Sequence, residues 1–222
     1  MDLTTRYLGL TLKNPFVPSA SPLSRSLDRA KQLEDAGASA LIMYSLFEEV
    51  VTAESASTAR FLDHTNPQKE GPASAHADIP ADHDRYLEQE AAMKASLDNP
   101  VIASLNGVTL GGRIDHAREI QDAGADAIEL NAYYVAADMD ENGADVERRY
   151  LDLLHELRRD VSLPINMKLS PFFSSIAHMV RKLDEAGANG IALFQRFYQP
   201  DIDTGSLRLV PSLYPAATAE SL

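Results

Sequence analysis

The chain has 222 residues, 45% of them hydrophobic, with 33 acidic and 20 basic residues and a formal net charge of −13. That is enough for one sizeable core, and the lack of any Lys/Arg cluster in so acidic a chain excludes a binder of nucleic acid or anionic membrane working through a basic face. With no cysteine there is no disulfide, thiolate metal site or cysteine nucleophile; with no basic-then-apolar leader and no apolar run near the ~20 residues that span a bilayer, a cytoplasmic protein is expected.

Residues 5–17 read as a small hairpin, with Tyr7, Leu8, Leu10 and Leu12 as apolar positions and Lys13-Asn14-Pro15 as its punctuation. Residues 16–20 read as a first strand. Ser24 is placed to cap a helix carrying Leu27, Ala30 and Leu33 on one face, and a second strand follows at 40–43. Residues 48–83 break the rhythm and predict a loop excursion or lid. A helix over 84–97 leads to a third strand at 101–105. Ile114, Ala117 and Ile120 mark the next helix, and a fourth strand falls at 127–131. Val146, Tyr150, Leu153, Leu154 and Leu157 mark a long helix before a fifth strand at 165–169. Ile176, Met179, Val180 and Leu183 mark another before a sixth strand at 190–194.

One phrase recurs: Leu33-Glu34-Asp35-Ala36-Gly37-Ala38, Ile120-Gln121-Asp122-Ala123-Gly124-Ala125 and Leu183-Asp184-Glu185-Ala186-Gly187-Ala188. Each copy ends a helical stretch and precedes a short apolar run. The glycine stands where a helix end takes a left-handed residue. Helix, glycine stop and buried strand in alternation predict a parallel α/β fold. The reading is a TIM-type (β/α) barrel with six of eight βα units present and an N-terminal β-hairpin. The whole of 1–222 forms a single incomplete domain, because an eight-fold barrel takes about 250 residues.

In such folds chemistry collects at the carboxyl ends of the strands. Those ends carry Ser19-Ala20-Ser21, Tyr44-Ser45, Ser104-Leu105-Asn106, Glu129 with Asn131, Lys168 and Gln195-Arg196. The amino ends carry nothing comparable. Amides, cations and aromatics converging on one rim suit a flat, polar, π-rich ligand. Gly111-Gly112 lacks the rest of a dinucleotide fingerprint. His76, Asp82, His83 and Asp84 are metal-ligand types at a spacing that fits no standard motif, so they read as a polar loop and no metal site is expected.

Four phrases carry a resemblance: Pro100-Val101-Ile102-Ala103-Ser104-Leu105-Asn106-Gly107, Glu129-Leu130-Asn131, Lys168-Leu169-Ser170-Pro171-Phe172-Phe173 and Arg196-Phe197-Tyr198-Gln199-Pro200-Asp201. With them the chain resembles the dihydroorotate dehydrogenase family of FMN-dependent barrels, in its dihydroorotate dehydrogenase-like branch. The resemblance implies an oxidoreductase of the kind found in pyrimidine metabolism, with FMN as cofactor. It implies flavin contacts at Ser19, Ala20, Ser21, Ser45, Ser104, Asn131 and Lys168, and substrate contacts at Tyr44, Asn106, Asn131, Gln195 and Arg196. Lys168 falls on the family's strand-five lysine, near the flavin N1/O2 edge, and Tyr134 on its active-site base.

The departures are a lysine replaced at Tyr44, the base replaced at Tyr134 and an asparagine replaced at Gln195. They imply a small cyclic or carboxylated substrate other than dihydroorotate. The family's phosphate site follows strands seven and eight, so weak FMN binding is expected. Lys168 at a strand end also fits a Schiff-base lyase, and an inactive barrel fragment is the third alternative. The expected partners are a small-molecule substrate and, through open strand edges, another copy of the chain. Neither nucleic acid nor a membrane is expected.

Overall fold

A computed structural model describes residues 1–47, 83–106, 111–132, 134, 136–194, 200–203 and 208–211. Strands β1 (Thr5–Tyr7) and β2 (Leu10–Leu12) form the expected hairpin, antiparallel with Tyr7 opposite Leu10. Five further strands form one parallel sheet in sequential order: β3 (Leu41–Phe47), β4 (Val101–Asn106), β5 (Ala127–Asn131), β6 (Ile165–Leu169) and β7 (Gly190–Leu193). Between them run α1 (Leu27–Asp35), α2 (His83–Ser96), α3 (Gly111–Ala123), α4 (Gly143–Asp160) and α5 (Ile176–Glu185). This alternation is the TIM-type α/β architecture, open rather than closed among the described residues. A second antiparallel pair, β8 (Pro200–Asp203) and β9 (Arg208–Pro211), lies beyond it and was not expected from the sequence.

The expected strand at 16–20 does not form. Pro15 and Pro18 have no backbone N–H to give a ladder. The segment makes one backbone rung, with Phe16 O accepting from Ser39 N at 3.0 Å, joined by Ser39 Oγ at 3.0 Å. The sheet therefore has five strands where six were expected. Ser24 is not the helix cap either. It is buried inside a short 3-10 turn, Pro22–Arg25, capped by Ser21, and α1 starts after Ser26. The excursion expected at 48–83 lies, apart from His83, outside the described residues.

The three repeated glycines do what the pattern requires. Gly37, Gly124 and Gly187 have φ of 102°, 102° and 99°. Behind each, the following alanine N–H reaches back to Leu33, Ile120 or Leu183 O, closing the helix end in a Schellman turn.

Side chains alternate across the sheet and give it two unlike faces. The helix-side face is the main core: Val101, Ala103, Leu105, Ile128, Leu130, Ile165, Met167 and Leu169 meet Ile120, Leu154, Leu157 and Leu183. Each of the larger side chains among them contributes about 1.5–3 kcal/mol on burial. On the inner face the hairpin's Leu8 and Leu12 cover Ala40, Ile42, Ile102 and Ala127.

Gly190 is where the hairpin comes closest to β7. A Cβ there would lie 2.6 Å from Leu8 Cδ2, 3.1 Å from Asn166 Oδ1 and 3.4 Å from Tyr7 Cε2. Gly190→Ala is expected to cost about 1–3 kcal/mol by overpacking, measured by urea unfolding. A loss below about 0.5 kcal/mol would show that Leu8 yields freely.

Candidate active site

The inner face changes character along the strands. Its amino-terminal half is the apolar plug under the hairpin. Its carboxyl-terminal half is polar, since the period of two that points Ile102 inward also points Ser104, and that of Ala127 also points Glu129 and Asn131. Asn166 and Lys168 continue the row on β6, in register with Glu129 and Asn131. The register of β3 shifts between Ile42 and Ser45, which sets Ser45 directly opposite Ser104.

Three of these side chains form a closed group. Asn131 Nδ2 donates to Ser45 Oγ at 3.0 Å and to Ser104 Oγ at 3.1 Å, and the two hydroxyls are 2.9 Å apart. Asn131 Oδ1 is buried with no partner among the described residues. In either orientation of the amide one polar atom is left uncommitted, and a buried polar atom calls for a partner.

Beside this group lies a buried ion pair. Glu129, 2% exposed, accepts from Lys168 Nζ at 3.1 Å and from Asn166 Nδ2 at 3.1 Å. Asn166 Oδ1 is likewise without a partner among the described residues. Glu129 and Lys168 line a cleft of about 440 Å³, walled opposite by the hairpin and by Ser19. Tyr7 stands at this wall. Burial first, and the Glu129 charge second, push its phenol up to about 12, so it meets the cleft as a neutral hydroxyl.

The structure thus brings together Ser45, Ser104, Asn131 and Lys168, with Ser19 across the cleft. Ala20 packs beside the inner apolar cluster, and Ser21 is occupied as the cap of the 3-10 turn, accepting from Leu23 N. Asn106 is half-buried and opposite Asn131 in register. Tyr44 lies on the helix side instead. Its ring meets Tyr86 edge-on at 5.1 Å, carries the Arg25 guanidinium at 4.9 Å, and its hydroxyl donates to Gln89 at 3.4 Å.

Tyr134 donates to Glu141 Oε2 at 2.6 Å beneath the Arg149 guanidinium. That hydrogen bond raises its pKa, the wrong direction for a base. Gln195 and Arg196 lie outside the described residues. Glu129 and Asn166 had no assigned role in the sequence. The available signal was their place two residues before Asn131 and Lys168 on buried strands, hence on the same face.

No family model matches the chain. The catalytic subunit of dihydroorotate dehydrogenase B (NAD(+)) of Anoxybacillus flavithermus is 27% identical over 209 residues, 90% of this chain and 63% of that protein. Its counterpart in Geobacillus kaustophilus is 26% identical over the same extent. That of Thermoplasma acidophilum is 25% identical over 189 residues, 84% of this chain and 60% of that protein. The chain is thus similar to these catalytic subunits over most of its length. It spans a little under two thirds of the length of these curated relatives. Among solved structures, a putative dihydrodipicolinate synthetase from Pseudomonas aeruginosa superposes with a TM-score of 0.49 at 13% identity, over 79% of this chain and 54% of that one. No helix among the described residues is long and apolar enough to cross a membrane.

Proposed function

We propose that the chain is a flavin-dependent oxidoreductase whose FMN ring lies along the polar half of the inner face. There a hydride would pass between a small cyclic or carboxylated substrate and the flavin. The observation that carries the reading is the row Ser104, Asn131 and Lys168 on three adjacent strands, with the uncommitted Asn131 Oδ1 in its middle and Lys168 lining the cleft. The names of the relatives support it.

The residues fit the pyrimidine edge of such a ring. That edge offers both donors and acceptors, and the face supplies an open acceptor on Asn131, two hydroxyls and a cation. FMN bound there would supply a two-electron acceptor. Lys168 sets a fixed positive charge at the cleft wall, which favours the extra negative charge of a reduced ring. Glu129 and Asn166 hold Lys168 in place, as supporting partners do in a preorganised site. The apolar plug gives the cleft an apolar floor through Leu12 and Ile42. Tyr134, tied to Glu141, is assigned to ordering its loop rather than to proton transfer. The departures at Tyr44, Tyr134 and Gln195 favour a substrate other than dihydroorotate. The Schiff-base alternative is weakened by the ion pair, because Lys168 meets Glu129 as a cation whereas carbonyl capture needs its lone pair.

The test is a titration of the chain with FMN followed by quenching of flavin fluorescence. Saturable binding is expected, weakened roughly tenfold in Lys168→Met, a loss of about 1.4 kcal/mol. Absence of saturable quenching, or equal affinity in the folded variant, would refute the assignment. Borohydride trapping of a carbonyl compound on Lys168 without flavin would replace it with the lyase.

A further inference from the structure

Away from the cleft, two histidines and a carboxylate from neighbouring helices converge at the start of α2 and the second turn of α3. His83 Nε2 lies 2.9 Å from His116 Nδ1 and 2.9 Å from Glu119 Oε2, and His116 Nδ1 lies 3.2 Å from the same oxygen. The three atoms form a nearly equilateral triangle. Both histidine side chains are 14% exposed, while Glu119 is 46% exposed.

We propose that His83, His116 and Glu119 form a binding site for a divalent transition-metal ion of the zinc class. Ligand atoms about 2.0–2.1 Å from a tetrahedral ion stand roughly 3.3 Å apart. The observed edges of 2.9, 2.9 and 3.2 Å need only a small spread to reach that. Two imidazoles with one carboxylate is a donor set that suits zinc rather than magnesium or calcium, which take oxygen ligands.

The backbone supports the arrangement. His116 and Glu119 are three residues apart on one helix, so they share a face. His83 comes from the first turn of the adjacent helix, with rings 4.4 Å apart and tilted by 50°. While Nε2 of His83 faces the triangle, its Nδ1 points away from it toward the exposed Asp84, whose Oδ1 stands at 3.8 Å, beyond hydrogen-bond distance. The exposed side of Glu119 leaves the fourth position to water. Sited between two helix starts, the ion would fasten α2 to α3 whether or not flavin is bound.

The experiment is calorimetric titration of the metal-stripped chain with Zn²⁺, repeated with Co²⁺ to read coordination from its visible spectrum. One ion per chain is expected, with the intense absorption of four-coordinate Co²⁺ and a rise in thermal midpoint. His83→Ala and His116→Ala should each weaken binding by at least about tenfold, with far-UV circular dichroism unchanged. Glu119→Gln separates ligation from folding, since it keeps size and removes the charge. His178→Ala, on α5, is the control. No binding by the wild-type chain, unchanged affinity in the folded His83 and His116 variants, or equal loss in His178→Ala would each overturn the proposal.

Discussion

Replacing Glu90 by methionine is expected to stabilise the chain, and to do so more strongly as the pH rises. Glu90 is fully buried on α2, and neither of its carboxyl oxygens has a hydrogen bond of good geometry among the described residues. Burial first, and the Asp126 charge as well, push its pKa up to about 8, only partly countered by the Ala125 amide and Lys94. The folded chain therefore holds a proton that the unfolded chain has released between the ordinary value of 4.5 and about 8.

More protons bound in the folded state means stability that is full below 4.5, falls as pH rises, and is lost by about 8. The whole shift corresponds to a loss on the order of 5 kcal/mol. Methionine is unbranched and close to glutamate in volume, and it removes both the charge and the unpaired polar atoms. Urea unfolding of both proteins from pH 5 to pH 9 tests this. The difference should grow by several kcal/mol toward pH 9. A pH-independent difference would mean that Glu90 reaches water or a partner when ionised.

Lys168→Met is expected to cost about 3 kcal/mol of stability, because it leaves the Glu129 charge buried with Asn166 as its one remaining donor among the described residues. Adding Glu129→Gln to it should restore most of that loss, since the amide needs no counter-charge. The four proteins of the cycle, unfolded in urea at pH 7, should show a coupling of about 3 kcal/mol between the two positions. The double variant also separates fold from function. It should unfold like the parent yet bind FMN no better than Lys168→Met alone. Recovery of flavin affinity in the double variant would show that Lys168 contributes only by neutralising Glu129.

The glycine-stopped helices and buried strands were legible because local backbone preference and hydrophobic period agree there. β4, β5 and β6 fall within one residue of the ranges read from sequence. The strand at 16–20 failed because pairing depends on donors that Pro15 and Pro18 lack. The β8–β9 hairpin was missed because its strands are four residues each, too short for a periodic signal. In the candidate site the row Ser104, Asn131 and Lys168 follows from period two alone. The Glu129 pair needs the register between β5 and β6, which no single strand encodes. His83 looks like part of a polar loop in the sequence because its partners, His116 and Glu119, come more than thirty residues later and meet it only through helix packing.

The register shift in β3 carries a last consequence. Strict alternation from Ile42 would have aimed residue 44 inward, placing a phenol ring against Asn131 and sending the Ser45 hydroxyl to the helices. One extra residue reverses that choice without altering a single side chain. What the polar face presents at β3 is therefore a matter of residue count before it is one of residue type. Removing one position between Ile42 and Ser45 would restore strict alternation and still leave the Ser45 hydroxyl on the polar face, two places after Ile42.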